Sequence, residues 1–140
     1  LIYPSKNGNQ KSNLNLYFKM KDFTQIPQDR IIYKDQYFFI IEDIFPVNPG
    51  HLLIITNTVR QDYFALTPEE QQALPKAIEA AKQIVLNKYN PDGFNIGMNC
   101  GATAGQTVFH FHCHLIPRYN GDMENPRGGV RHVIPSKGNY

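Results

Sequence analysis

Tryptophan is absent from the sequence, and only two cysteines occur, Cys100 and Cys113. They form no C-x-x-C pair, so neither a disulfide framework nor a dithiol motif is present, and two reduced thiols are expected. Charge of one sign is also scarce. Over 140 residues, 14 Lys and Arg against 12 Asp and Glu leave a net charge of +2. That balance gives no case for binding nucleic acid, while a small anionic ligand suits it. Long hydrophobic runs are missing too. No apolar stretch reaches the roughly 20 residues of a membrane span, so no membrane role is expected. The first residues lack the apolar centre of a signal peptide, since Lys, Asn and Gln dominate Lys6 to Lys11. These absences together lead to the expectation of a cytoplasmic protein.

What is present fits one domain. About 41% of the residues are hydrophobic and 19% charged, enough to bury a single core. Leu1 to about Met20 is polar and rich in Asn and Lys, and reads as an extension; the domain proper then covers residues 21–140. Arg30 to Lys34 and Tyr37 to Glu42 are β-rich runs split by Asp35-Gln36, the pattern of a hairpin. Asp43 to Gly50 contains Pro46, Pro49 and Gly50 and reads as a loop. His51 to Thr56 is almost wholly apolar, a strand buried on both faces. Thr67-Pro68-Glu69-Glu70 starts a helix: Thr67 caps, Pro68 suits the first turn and Glu70 completes a capping box. Ala73, Ala77, Ala80, Ala81, Ile84 and Val85 continue it as an apolar stripe that ends before Pro91. Pro75 should bend this helix or cost it a hydrogen bond. Gly93 to Asn99 reads as a strand, Gly101 to Gly105 as a turn, and Val108 to Tyr119 as the cleanest strand. One long helix among several strands gives an α+β domain.

Five histidines occur, and three alternate along that last strand. Alternation sends His110, His112 and His114 to one face and Phe109, Phe111, Cys113 and Leu115 to the other. At a rise of roughly 3.3 Å per residue, neighbours on the histidine face stand about 6.6 Å apart. Such a row can bind a metal, or present one nucleophilic imidazole flanked by two that orient it. A polar sheet face without chemistry is a third reading, but every ring nitrogen would then need a partner. A catalytic zinc usually recruits a carboxylate or a further histidine nearby, and Leu115, Ile116 and Pro117 follow instead. The preceding segment favours phosphate. The small residues Gly101 to Gly105 let the backbone approach a ligand, their N–H groups can form an anion nest, and Gln106 and Thr107 add neutral donors.

His110-Phe111-His112-Cys113-His114-Leu115-Ile116 resembles the signature of the histidine-triad family. Ala104-Gly105-Gln106-Thr107-Val108 before it, with Pro117-Arg118 and Gly121-Asp122 after it, resemble the family's dinucleoside-polyphosphate hydrolase branch. Pro49 to Ile55 resembles its upstream segment, which supplies a fourth histidine, His51. The resemblance covers about Arg30 to Pro135. It implies a HIT-like fold, an antiparallel sheet with one long helix and a short helix, and a homodimer joined into a continuous sheet. It implies a nucleotide hydrolase that needs no cofactor. Diadenosine polyphosphates or similar dinucleotides would be cleaved at the α-phosphate through a nucleotidyl-histidine intermediate, releasing a nucleoside monophosphate. His112 would be the nucleophile, His110 and His114 would hold its ring and contact phosphate, and His51 would support them. Gln106 and Thr107 would bind phosphates, and Asn99 would reach phosphate or ribose. Asp43 would accept from the ribose hydroxyls, with Ile44 and Ile41 as walls for the base. A nucleoside phosphoramidate hydrolase and a non-catalytic nucleotide-binding protein are the competing readings.

The sequence also departs from the relatives it resembles, many of which carry a structural zinc. Lys21 and Thr24 stand where those relatives have two cysteines, Val59 where they have a histidine and Thr56 where they have a proline. Only His110 remains, and a one-ligand site cannot hold zinc. No metal is therefore expected, with a less tethered N-terminal segment as the cost. In the tail, Arg127 and Arg131 would either reach outer phosphates or stay solvated, and His132 is expected outside the site.

Overall fold

The computed structural model describes residues 19–140. Most of the polar extension expected over residues 1–20 lies outside the described residues. Met20, assigned to that extension, is a core residue instead.

Five strands form one antiparallel sheet: β1 Ile31–Lys34, β2 Phe38–Glu42, β3 Leu52–Thr56, β4 Gly93–Gly97 and β5 His112–Arg118. Their spatial order is β1-β2-β3-β5-β4. The expected hairpin joins β1 to β2. The Asp35 carboxylate closes it by accepting from the N–H groups of Tyr37 and Phe38, each at 2.8 Å. The long helix, α1, spans Pro68–Leu86. Both halves of its capping box form: Glu70 N–H donates to the Thr67 hydroxyl at 3.2 Å, and Thr67 N–H donates to Glu70 Oε2 at 2.8 Å. The helix is continuous through Pro75. The shorter helical pieces are 3-10 turns, including Phe23–Gln25, Ala102–Ala104 and Gly129–Val133.

The sheet is covered differently on its two faces. On one face, Leu74, Ala77, Ala81 and Val85 of α1 pack against Phe38, Ile40, Leu52, Ile54, Cys113 and Leu115. The two alanines let the helix approach closely. On the other face, Met20, Phe23 and Ile26 cover Phe39 and Ile41 of β2 and Leu53 and Ile55 of β3. Ile41 is fully buried here, so it is core rather than a wall for a base. The C-terminal turn Gly129–Val133 lies against β4. The histidine-bearing face is thus capped at one end by residues 20–26 and at the other by the tail.

The main departure from the sequence reading concerns the last strand. Val108 to Phe111 are not β-structure; β5 begins at His112. The reason is the length of its neighbour. His112 pairs with Ile55, and β3 ends one residue later at Thr56, so the preceding residues have no ladder to join. They are held by other bonds: Phe111 N–H donates to the Arg60 carbonyl at 2.6 Å. Phe109, expected on the strand face opposite the histidines, is outside the strand and 44% exposed.

Candidate active site

The site is built at the start of β5. His112 Nδ1–H donates to the carbonyl of His110 at 2.8 Å. A carbonyl accepts only, so the proton is fixed on Nδ1 and the Nε2 lone pair is left free. The residue is 9% exposed. This is the tautomer a nucleophilic imidazole needs.

His114 lies beside it, ring centroids 5.3 Å apart. It belongs to a directed chain of hydrogen bonds. Val47 N–H donates to His51 Nδ1 at 3.1 Å, so His51 carries its proton on Nε2. That nitrogen is 2.9 Å from His114 Nδ1 and donates to it, which leaves the His114 proton on Nε2. Asp43 Oδ2 stands 3.5 Å from His51 Nε2 and 4.0 Å from His114 Nδ1, while its other oxygen accepts from Phe45 N–H at 2.8 Å. Gly50 aims His51 into this chain. It adopts φ +87, and a Cβ there would sit 2.9 Å from the Tyr89 ring.

His110 behaves differently from the expectation of a phosphate contact. It is fully buried, and both ring nitrogens are used. Nε2 donates to the Thr56 carbonyl at 2.8 Å, and Nδ1 accepts from Phe23 N–H at 3.1 Å. It supports the site and does not reach a ligand. Nor does a histidine flank His112 on both sides. The Phe23 ring stands against it at 5.2 Å, nearly perpendicular.

Gln106 also departs from its expected role. Its amide donates to the carbonyls of Gln61 (2.6 Å) and Val108 (3.1 Å) and accepts from Gly101 N–H (2.8 Å). With every polar atom engaged and 4% exposed, it closes the loop. The N–H groups of Ala104, Gly105 and Gln106 likewise bond within the turn, so they form no open nest. Thr107 and Asn99 differ: neither side chain makes a hydrogen bond among the described residues, and both keep donors for a ligand. Asn99 lines a cleft of about 740 Å³ together with His51, His114, Val47, Ile116 and His132. Ile44, half-buried, follows Asp43 in the loop.

The tail supplies a further correction. His132, expected outside the site, walls this cleft because the chain folds back over β4 and bonds His132 Nε2 to the Arg127 carbonyl at 2.9 Å. Arg127 and Arg131 stack on the Tyr140 ring at 4.5 and 5.2 Å. Arg118 is similarly committed, bidentate to Asp122 and bonded to Asn95. Both sets of arginines hold the chain's own turns.

The residues do not fit a zinc at His110. Its two nitrogens are taken, and the Thr24 hydroxyl is bonded to Asp22. Asp43, His51 and His114 do bring one ligand atom each within 4.8 Å of one another. A metal on His51 Nε2 would force its proton onto Nδ1, against the Val47 N–H, whereas ligating histidines normally donate from that second nitrogen.

Burial pushes the pKa of all four imidazoles below the ordinary histidine value. His114 goes lowest, to about 4, because burial is joined by the neighbouring His112 and His51, against a smaller opposing effect of Asp43. The sign of the consequence follows directly. The unfolded chain binds these protons near pH 6.5 and the folded chain does not, so stability is lost as pH falls through that value. Thermal melts should therefore show a stable plateau above pH 6.5 and a midpoint that declines between pH 6.5 and 4. Turnover should fall on the acid side, below the ordinary histidine pKa, since protonated His112 cannot attack. A midpoint that is flat down to pH 4 would contradict buried neutral histidines.

The HIT domain model matches residues 24–121. The chain belongs to the HIT domain family. It is similar to a Mycobacterium tuberculosis protein named AP-4-A phosphorylase, 31% identical over 106 residues, 71% of this chain and 54% of that protein. It is also similar to bis(5'-adenosyl)-triphosphatase of Saccharomyces cerevisiae, 33% identical over 92 residues, 65% of this chain and 45% of the enzyme. The chain thus spans about half the length of these two relatives. A solved zinc-bound histidine triad protein from Mycobacterium smegmatis superposes with TM-score 0.61 at 36% identity, covering 68% of this chain and 69% of that one. Sequence reasoning missed Phe23, Val47 and Thr56, the backbone groups that set the tautomers in this HIT site. Main-chain partners leave no residue-type signal.

Proposed function

We propose that this HIT protein is a nucleotide hydrolase that cleaves dinucleoside polyphosphates at the α-phosphate. The observation that carries the reading is the free Nε2 of His112, held by the His110 carbonyl beside the cleft that His114 and Asn99 line. His112 Nε2 attacks the α-phosphorus, forming a P–N bond while the bond to the bridging oxygen breaks. The His114 Nε2–H donates to that leaving oxygen, and the His51–Val47 chain keeps the proton on the required nitrogen. Water then attacks the nucleotidyl-imidazole and releases a nucleoside monophosphate. Thr107 and Asn99 bind phosphate oxygens, and Asp43 accepts from the ribose hydroxyls beside Ile44. Names of relatives that act on adenosine polyphosphates support the substrate class.

No step in this scheme needs a metal. Purified protein should hold far less than one zinc per chain, and EDTA should leave turnover unchanged. Stoichiometric zinc at His110, measured by elemental analysis, would overturn that part. We propose further that two copies associate through β4. It is an edge strand of the sheet and leaves Ile96 44% exposed. The cytoplasm, where both thiols stay reduced, is the proposed setting. The deciding experiment for function is a turnover panel of diadenosine tri- and tetraphosphate and adenosine phosphoramidate. Faster release of AMP from the dinucleotides supports the proposal. Preference for the phosphoramidate would move the substrate class, and silence on all three would leave a nucleotide-binding role.

A further inference from the structure

The first N–H of a helical turn has no partner inside that turn and must find one elsewhere. Phe23 opens the 3-10 turn Phe23–Gln25, which Asp22 caps by accepting from the N–H and hydroxyl of Thr24. The orphan Phe23 N–H points at His110 Nδ1, 3.1 Å away and 87 residues on in sequence. From the opposite side of the ring, the Thr56 carbonyl takes His110 Nε2–H at 2.8 Å. One group can only donate and the other can only accept. Both demands are met by one neutral tautomer in one ring orientation; the other tautomer or an imidazolium sets N–H against the Phe23 N–H, and a flipped ring puts carbon where each nitrogen stood. The carbonyl of the same residue holds His112 Nδ1–H. The Phe23 ring leans on both imidazoles, 5.6 Å from His110 and 5.2 Å from His112. Met20, Phe23 and Ile26 are all buried against β2 and β3, so the segment is anchored where it makes these contacts.

We propose that residues 20–26 form a positioning strap for the nucleophile, in which the Phe23 N–H fixes the tautomer of His110 and through it the seat of His112. The proposal rests on the reading of His112 as the attacking group. Phe23 is a positioning residue, since it acts through His110. The strap also answers the expected loss of tethering at the N-terminal segment, because one main-chain hydrogen bond and three buried side chains hold it.

The test separates the hydrogen bond from the ring. Phe23→Leu removes the aromatic face and keeps the N–H. Phe23→Pro removes both, and the backbone admits it: Pro is favoured at the first helical position, and Asp22 before it is extended at φ -155, ψ 176. Phe23→Leu should keep kcat within about threefold, whereas Phe23→Pro should lower kcat about tenfold further with KM little changed. Ring 15N NMR of the unaltered protein should show His110 protonated on Nε2 with Nδ1 as acceptor, and Phe23→Leu should preserve that pattern. Equal kcat for the Pro and Leu variants, or a proton on Nδ1 of His110, would overturn the strap. If the Pro variant does not fold, the NMR pattern decides. The NMR result is independent of turnover, so it stands or fails separately from the assignment of His112.

Discussion

His112→Asn should lower turnover by about four orders of magnitude or more and leave nucleotide affinity within about tenfold. The size of the effect follows from what the substitution removes. Asn keeps an amide that can donate to the His110 carbonyl, so the start of β5 stays in place. It deletes the Nε2 lone pair, which is unprotonated and has no hydrogen-bond partner among the described residues. Direct attack by water would have no comparable preorganisation. Binding should survive, because Asp43, Asn99 and Thr107 are untouched. His114→Asn and His51→Asn should cost less, each weakening the donor to the leaving oxygen without removing the attacking atom. Single-turnover kinetics with a diadenosine polyphosphate, beside equilibrium binding of AMP, measure both sides. Near-normal turnover of the Asn variant would remove the nucleophile from the account.

Glu70→Ala should cost about 3 kcal/mol of stability and lower turnover as well, although Glu70 is nowhere near a ligand. Its buried carboxylate has two duties. It completes the capping box of α1, and it accepts from Arg60 Nε at 2.9 and 3.1 Å. Arg60 in turn gives its carbonyl to Phe111 N–H, and the next residue, Gln61, gives its carbonyl to the Gln106 amide. The loop between β3 and α1 therefore holds both the turn that Gln106 closes and the approach to His112. Removing the carboxylate leaves a half-buried guanidinium unpaired and frees that loop. Denaturant unfolding should show the loss of stability, and kcat should fall severalfold at a temperature where the variant is fully folded. A variant as stable as the parent would mean that the ion pair is merely a surface contact. Wild-type kcat in a clearly destabilised variant would mean that the loop does not position the site.

Much of this was legible in the residues, for identifiable physical reasons. Strands β1 to β4 and helix α1 announce themselves by period, caps and turn residues; the strand limits fall within two residues of the expected ones, and α1 ends at Leu86, before Pro91. The H-x-H-x-H spacing does place His112 and His114 on one face, since that part of the run is a true strand. The spacing misleads at His110, because alternation assumes a neighbouring strand and β3 has already ended at Thr56. The same limit explains Phe109. Gln106 departs from its expected role for a related reason. Residue type gives a donor, but only the folded loop shows that carbonyls from Gln61 and Val108 already occupy it. The strap was least visible of all: Phe23 reads as an ordinary apolar residue, and its contribution is a main-chain N–H.

The proposed mechanism makes one covalent bond, between His112 Nε2 and the α-phosphorus. Mixing enzyme with excess diadenosine polyphosphate, quenching in alkali within the first turnover and mapping peptides by mass spectrometry tests it directly. An adenylyl group is expected on His112 and absent from His110, His114 and the His112→Asn variant. Turnover with no adduct at any time point, together with inversion of configuration at a chiral α-phosphorus, would instead show direct attack by water and contradict it.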